Sequence, residues 1–338
     1  MDPHVTDDLR AVAWTGTALR LIDQTVLPAR LEYLDVEDVD GLVAAITTLT
    51  VRGAPALGAA GAYGVAIALL QGVREGWDEA TATAAIARVR EARPTAVNLA
   101  GGVDRVLPHV SGGVEAVLAE ADRVVAEDLA ANRAIGAYGA DWILARVERR
   151  PLRVLTHCNT GALATAGWGT ALGIVRELHA RGVLDRVYVD ETRPLLQGSR
   201  LTAWELAHEG IEHYVQADGA AAGTILRGLA DVAVIGADRV AANGDVANKI
   251  GSVGVALACA DAGIPFVVAA PTTTLDPGTA RGDDIHIEER AEEEILTVAG
   301  LRVAPAASRA HNPAFDVTPA RLVSALVTEA GVTTPAGH

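Results

Sequence analysis

The spacing of apolar and polar positions takes three forms along the chain. Between about residues 10 and 35 the two alternate around small turns, as in Ala11-Val12-Ala13-Trp14 and Leu19-Arg20-Leu21-Ile22-Asp23. A period of two predicts short antiparallel strands. From about 37 to 147 the spacing becomes helical. Val36 to Thr50 sets Val39, Leu42, Val43 and Ile46 on one face, with Asp35 placed to cap it. Thr81 to Ala92 and Val114 to Val147 read the same way, the second with an expected break near Gly136 or Gly139.

Beyond the polar stretch Glu148-Arg149-Arg150-Pro151 the two patterns alternate. β-rich runs stand at Arg153 to Thr156, Arg186 to Val189, Ile211 to Val215, Asp231 to Ile235 and Pro265 to Ala270. Helical patterns separate them at Gly161 to Ala180, Ser199 to Glu209, Ala220 to Leu229 and Ile250 to Ala262. Such units predict a parallel sheet with helices on both faces. A last helix is expected from Pro319 to Ala330. The expected organisation is therefore an α/β chain of two domains. Residues 1–148 form a small antiparallel sheet with a helical bundle, and residues 149–338 form a Rossmann-like α/β domain. A length of 338 residues suits two cores better than one.

Composition narrows the function. A net charge of −15 argues against broad nucleic-acid or anionic-membrane binding, both of which need a basic surface. It leaves room for a small phosphorylated ligand held by a few amides and arginines. Gly, charge or Pro is expected to interrupt each apolar run before it reaches membrane-spanning length. Met1-Asp2-Pro3-His4 lacks the cationic start of a secretory signal. Two cysteines without a disulfide framework fit a reducing, cytoplasmic compartment. Lys249 is the only lysine in an arginine-rich chain. That reflects either a genome that favours Arg or a place where an ammonium is needed.

In open parallel sheets, ligands bind beyond the carboxyl ends of the strands. There the sequence places His157-Cys158-Asn159-Thr160-Gly161, Asp190-Glu191-Thr192-Arg193-Pro194, Gln216-Ala217-Asp218, Gly236-Ala237-Asp238-Arg239 and Pro271-Thr272-Thr273-Thr274. Polar turns and helix caps account for a stray Thr or Asp. They do not account for a Cys between His and Asn, or for an Asp after an apolar strand. Cys158, expected just before a helix starting at Gly161, would gain thiolate character from the helix terminus. Cys259, inside Val255 to Ala260, reads as a small buried hydrophobe. Asp238 is expected to be desolvated and so to serve as a general acid.

Lys249, in Asn248-Lys249-Ile250-Gly251-Ser252 at an expected helix start, suits a phosphate or a sugar oxygen. Arg52-Gly53-Ala54-Pro55 precedes a small-residue helix, and its amides with Arg52 make a phosphate cradle. Arg93-Pro94-Thr95 offers a second guanidinium. With Lys249 these supply three cations for one phosphate. No Gly-rich dinucleotide motif and no P-loop occurs. His157 and the nearby carboxylates lack a metal-ligand spacing, so no metal or other cofactor is expected.

Longer motifs carry a resemblance. Arg52-Gly53-Ala54-Pro55-Ala56, Arg93-Pro94-Thr95-Ala96-Val97-Asn98, His157-Cys158-Asn159-Thr160-Gly161, Glu191 through Thr202, Gly236-Ala237-Asp238-Arg239 through Asn248-Lys249-Ile250-Gly251, and Asn312 through Pro319 occur in that order. Over nearly its whole length the chain resembles the methylthioribose-1-phosphate isomerases of methionine salvage. The resemblance implies that Cys158 and Asp238 are catalytic. It implies that Arg52, Gly53, Ala54, Arg93, Gln197, Asn248 and Lys249 bind a sugar 1-phosphate. It also implies a cytoplasmic homodimer with no cofactor, converting 5-methylthioribose 1-phosphate to 5-methylthioribulose 1-phosphate. The wider group contains isomerases of ribose 1,5-bisphosphate and regulatory subunits of a translation-factor exchange complex. An isomerase of another pentose 1-phosphate, such as ribose 1,5-bisphosphate or 5-deoxyribose 1-phosphate, and a non-catalytic sugar-phosphate or nucleotide sensor are therefore the alternatives. Two departures from the pattern stand at Thr160 and at Ser252-Val253.

Overall fold

The computed structural model describes residues 9–94 and 96–335 and divides into two compact units. One comprises Met1–Arg133 with Thr160–Leu172, the other Ala134–Asn159 with Gly173–His338. The polar stretch 148–151, where the boundary was expected, lies inside the second unit. Met1-Asp2-Pro3-His4 and Thr95 fall outside the described residues.

The first unit opens with β1 (Val12–Trp14), β2 (Leu19–Ile22) and β3 (Tyr33–Val36), an antiparallel sheet in chain order. Helix α1 (Val39–Thr47) follows, shorter than the periodicity suggests. Its cap is Asp38, whose carboxylate accepts the Gly41 N–H at 2.7 Å. Asp35, the expected cap, lies on β3 opposite Arg20 and receives its guanidinium at 2.7 Å. Helix α2 (Ala54–Glu75) corrects a second expectation. It is 22 residues long and apolar enough to cross a membrane, but most of it is buried as the core helix of this unit. Helices α3 (Glu79–Glu91) and α4 (Val97–Val106) pack on it. A Cβ on Gly102 of α4 would stand 2.0 Å from the Gly58 carbonyl of α2, so the two backbones meet where no side chain fits.

Helix α5 (Val114–Leu144) runs 31 residues without the expected break. Gly139 stays helical, and a Cβ there would meet Ile174 Cδ1 at 2.2 Å. The glycine makes room for packing and does not interrupt the helix.

The second unit carries β4 (Leu152–Thr156), α6 (Ala171–Ala180, entering from the first unit), β5 (Leu184–Asp190), α7 (Ala203–His208) and β6 (His213–Gln216). Then come α8 (Ala221–Leu226), β7 (Val232–Ile235), β8 (Arg239–Ala241), β9 (Val246–Lys249), α9 (Ser252–Ala262) and β10 (Phe266–Ala269). After these stand β11 (Leu275–Asp276), α10 (Glu293–Leu296), β12 (Thr297–Val298), β13 (Leu301–Arg302), β14 (Phe315–Thr318), β15 (Ala325–Thr328) and β16 (Gly331–Thr333). Seven strands form the main sheet in the order β16-β15-β10-β7-β4-β5-β6. All its pairings are parallel except that of β16. Every residue of β7, β10 and β15 is buried, as a sheet covered on both faces requires.

A second sheet, β11-β8-β9-β14, was not foreseen. Its antiparallel β9–β14 pair sets Asn248 opposite Asp316 and Lys249 opposite Phe315. The expected last helix is also absent from its place. Pro319 to Ala330 forms a short 3-10 turn, Ala320–Leu322, and then the buried strand β15. A short apolar run such as Ala325-Leu326-Val327 fits either element, and its place beside β10 makes it a strand.

Candidate active site

Cys158 follows β4, as the sequence places it, but no helix starts at Gly161. Only a three-residue 3-10 turn, Ala162–Ala164, follows, and α6 begins at Ala171. Gly167, Trp168 and Gly169 all have positive φ, which breaks the helical pattern read through this stretch. No helix terminus at Gly161 therefore acts on the Cys158 thiol. Hydroxyl groups hold the residue instead. The Cys158 N–H donates to Thr192 Oγ1 at 2.9 Å, and the Cys158 carbonyl accepts from Thr202 Oγ1 at 2.7 Å. Between these two anchors Cys158 has φ +67° and only 8% exposure. Thr192 and Leu196 are left-handed as well, at +64° and +60°. Left-handed residues other than glycine are uncommon, and such conformations gather where structure is held for a purpose.

Behind Cys158 lies a buried ionic network. Asn159 Nδ2 donates to Glu205 Oε1 at 2.7 Å, and Glu205 Oε2 binds Arg176 at 2.7 Å. Arg176 also grips Glu209. The guanidinium and both carboxylates are almost fully buried, so their mutual pairing offsets the loss of water.

His157, 1% exposed, bridges three segments. Its Nδ1 lies 2.9 Å from Asp190 Oδ2, and its Nε2 lies 2.8 Å from the Ile250 carbonyl. A carbonyl only accepts, so Nε2 carries a proton, and a second proton lies between Nδ1 and Asp190. Burial alone would push the imidazole down. The hydrogen bond and charge of Asp190, with help from Asp218 and the Ile250 carbonyl, outweigh it and raise His157 above its ordinary value. Gln216 Nε2 donates to the other Asp190 oxygen at 2.8 Å. Asp218 accepts the N–H groups of Thr192 and Arg193, each at 2.7 Å.

Donor atoms of His157, Asp190 and Asp218 thus lie within 4.8 Å of one another, a grouping of metal-site size that residue spacing along the chain did not reveal. Each already has a hydrogen-bonding task, and no metal role is assigned to them.

Asp238 differs from its expectation. It is exposed, not desolvated. It sits past the end of β7, where its N–H donates to the Ala247 carbonyl at 2.9 Å and turns the chain into β8. Lys249 ends a strand and does not open a helix, since α9 begins at Ser252. Its Nζ stands 4.3 Å from the centroid of the Phe315 ring, a cation–π contact. Asn248 is 2% exposed and donates to Ser252 Oγ at 2.8 Å; Ser252 in turn donates to the Lys249 carbonyl at 2.7 Å. The departure at Ser252 thus fastens the two neighbouring binding candidates. Val253 and Gly251 donate their N–H groups to Asp316 Oδ2. Gln197 is 6% exposed, and its Oε1 is buried without a hydrogen-bond partner. A buried acceptor left in that state suits a ligand donor such as a sugar hydroxyl.

The remaining candidates stand in the first unit. Gly53 caps α2 with φ +95°, no side chain caps that terminus, and Pro55 lies in its first turn. A Cβ on Gly53 would stand 2.3 Å from the Ala164 carbonyl. Arg52 precedes this turn, and Arg93 precedes α4; both are half-buried. Thr160, the other departure, has a buried hydroxyl without a hydrogen-bond partner, while its carbonyl accepts the Thr170 N–H at 2.9 Å. Asp190, Thr192 and Asp218 stood on the strand-end rim and Thr202 inside a longer motif, none with a role of its own, and Glu205 was not singled out. No spacing rule joins them, because the fold brings them together from three separate segments.

Residues 50–335 match the family model described as the initiation factor 2 subunit family. Curated relatives carry an isomerase name. A methylthioribose-1-phosphate isomerase of Gloeobacter violaceus is 47% identical over 98% of this chain and 95% of its own length. A probable bifunctional methylthioribose-1-phosphate isomerase/methylthioribulose-1-phosphate dehydratase of Nocardia farcinica is 52% identical over 96% of this chain. The chain spans 59% of the length of that relative. Among solved structures, the 5-methylthioribose 1-phosphate isomerase of Pyrococcus horikoshii aligns with a TM-score of 0.89 at 37% identity, covering 99% of this chain and 95% of its own. A protein described as translation initiation factor eIF-2B subunit delta from A. fulgidus aligns with a TM-score of 0.86 at 42% identity, covering 97% of each chain. By family model, sequence identity and fold, the chain belongs to the initiation factor 2 subunit family and, within it, to the methylthioribose-1-phosphate isomerase family.

Proposed function

We propose that the protein converts 5-methylthioribose 1-phosphate to 5-methylthioribulose 1-phosphate, with Cys158 and Asp238 as the reacting side chains. The observation that carries this reading is Cys158 itself. A thiol held from both sides of its backbone, in a left-handed conformation at a strand end, fits a reacting group better than a packing residue. Isomerase names on relatives that span the chain supply the substrate.

A sugar phosphorylated at C1 is an acetal whose ring cannot open unaided. Asp238 gives a proton to the ring oxygen, and the C1–O bond to the ring breaks. Cys158 as thiolate takes the C2 proton, which leaves a C1=C2 enol. The proton is returned at C1 while the C2 hydroxyl proton passes to the Asp238 carboxylate, closing the cycle with a C2 ketone. Asp238 is exposed, so its acid role is proposed to operate with the bound sugar covering it. In the first unit, Arg52 and Arg93 offer charge and the amides at Gly53 and Ala54 offer donors to a phosphate; in the second, Lys249 offers charge and Gln197 and Asn248 offer polar contacts to a sugar phosphate.

A shift of hydride from C2 to C1 is the rival route. Turnover in deuterium oxide, stopped early, tests it. Deuterium at C1 of the product supports proton transfer through Cys158, and its complete absence favours hydride.

The bisphosphate alternative needs a second cationic pocket, and the arginines of the Glu191 to Thr202 motif are Arg193 and Arg200. Arg193 is committed elsewhere: its guanidinium donates to the carbonyls of Pro194, Glu294 and Ile295 at 3.0, 2.9 and 3.2 Å. We also propose a cytoplasmic homodimer. Leu226 and Leu257, 55% and 51% exposed on neighbouring helices, support a self-association face, and light scattering in solution tests it.

A further inference from the structure

We infer that Thr192 is the positioning residue for Cys158, acting through its hydroxyl and not through its bulk. This rests on the reading of Cys158 as the reacting thiol.

Thr192 is fully buried and carries φ +64°, an unfavourable conformation for a β-branched side chain. Something must hold it there. Its N–H donates to Asp218 Oδ1 at 2.7 Å, and the next N–H, of Arg193, donates to Asp218 Oδ2 at 2.7 Å. The Asp218 carboxylate thus clamps the turn. So held, the Thr192 hydroxyl donates to the Asp190 carbonyl at 3.0 Å and accepts the Cys158 N–H at 2.9 Å. One oxygen therefore joins the end of β5 to the residue two places past the end of β4. Thr202 completes the grip by donating to the Cys158 carbonyl at 2.7 Å.

Two consequences follow. The Cys158 N–H is already used, so it does not serve as a donor to an oxyanion. The thiol position is fixed by hydrogen bonds to the backbone on either side of it. Removal of the Thr192 hydroxyl frees the Cys158 backbone to relax from φ +67° and moves the sulfur. A displacement on the order of 1 Å at a reacting atom costs ~10²-fold in rate.

The test compares Thr192→Val, Thr192→Ser and Thr202→Val with the wild type. It uses isomerase kinetics and the rate of iodoacetamide labelling at each cysteine. Thr192→Val keeps the shape and loses the hydroxyl. It should lower kcat ~10²-fold with KM little changed, and Cys158 should label faster than in the wild type. Cys259, fully buried and with its thiol pushed up to about 12 by burial, should stay unlabelled. Thr192→Ser keeps the hydroxyl and should recover turnover. If Thr192→Val does not fold, Thr202→Val carries the same expectation through the other anchor, and Thr192→Ser must still be active.

The inference is overturned if the Val variants keep wild-type kcat, or if Thr192→Ser is as impaired as Thr192→Val. Labelling of Cys259 together with Cys158 also overturns it, because that marks general loosening. Labelling needs no substrate. If the wild type turns over no methylthioribose phosphate while the labelling pattern holds, the functional reading fails and the positioning of Cys158 stands.

Discussion

His157 and Asp190 meet at 2.9 Å in the interior, each 1% exposed, and the far side of the imidazole reaches the Ile250 carbonyl. The folded pair keeps the extra histidine proton beyond the pH at which an unfolded histidine releases it. Asp190, Asp218 and Asp316 are the acidic groups that act on this pair. The stabilisation is therefore complete below about pH 6.5 and is lost as pH rises through the raised folded value. Urea titrations between pH 6 and 9 should show stability falling by at most about 1.4 kcal/mol per pH unit from this proton. His157→Gln should flatten that fall. An unchanged slope in the variant contradicts the assignment.

Arg176 pairs with the buried carboxylates of both Glu205 and Glu209. Arg176→Met leaves two buried negative charges facing each other. The expected loss is about 3–5 kcal/mol in urea unfolding, the usual cost of breaking a buried pair from one side. Adding Glu205→Gln should recover part of it. A single variant as stable as the wild type would mean that the network contributes little.

Gly53 cannot be replaced cheaply. Its φ of +95° disfavours any side chain by about 1–3 kcal/mol, and a Cβ would press on the Ala164 carbonyl at 2.3 Å. Gly53→Ala should lower the melting temperature and raise KM for the sugar phosphate more than it lowers kcat. Effects confined to kcat would argue that the Arg52-Gly53-Ala54 turn does not bind substrate.

The parallel sheet was legible because β4, β5, β7 and β10 are short apolar runs with helical spacings between them. The same logic misread two places. Gly161 to Ala180 has helical spacing, yet the first ten residues are drawn out by Gly167, Trp168 and Gly169, and the helix begins only at Ala171. Ala325 to Thr328 lies in a run that permits a helix, and pairing with β10 decides for a strand. At the site, Cys158 lies past the end of β4 as the strand-end rule placed it, and only the helix terminus expected beside it is missing. Threonine hydroxyls, not a helix terminus, hold it. Desolvation of Asp238 was inferred from the apolar run before it, and the carboxyl lies past that run in an exposed turn. Thr192 meets Asp218, His157 meets Asp190 and Cys158 meets Thr192 across 26, 33 and 34 positions, a range over which local patterns carry no information.

Substrate range offers a further check. With the Arg193 guanidinium committed to three carbonyls, a second phosphate at C5 gains no support from it. Ribose 1,5-bisphosphate should be turned over with a lower kcat/KM than 5-methylthioribose 1-phosphate. Equal or better turnover of the bisphosphate would move the protein to the related isomerase activity.

The direct measurement is appearance of the ketose 1-phosphate from purified 5-methylthioribose 1-phosphate, with the wild type, Cys158→Ser and Asp238→Asn compared side by side. The wild type should convert the sugar. Each variant should lose about 10²–10⁴-fold in kcat, the range for removal of a proton-transfer group, while still binding substrate by calorimetry. Ketose formation at wild-type rate by either variant, or none by the wild type, would contradict the roles given to Cys158 and Asp238.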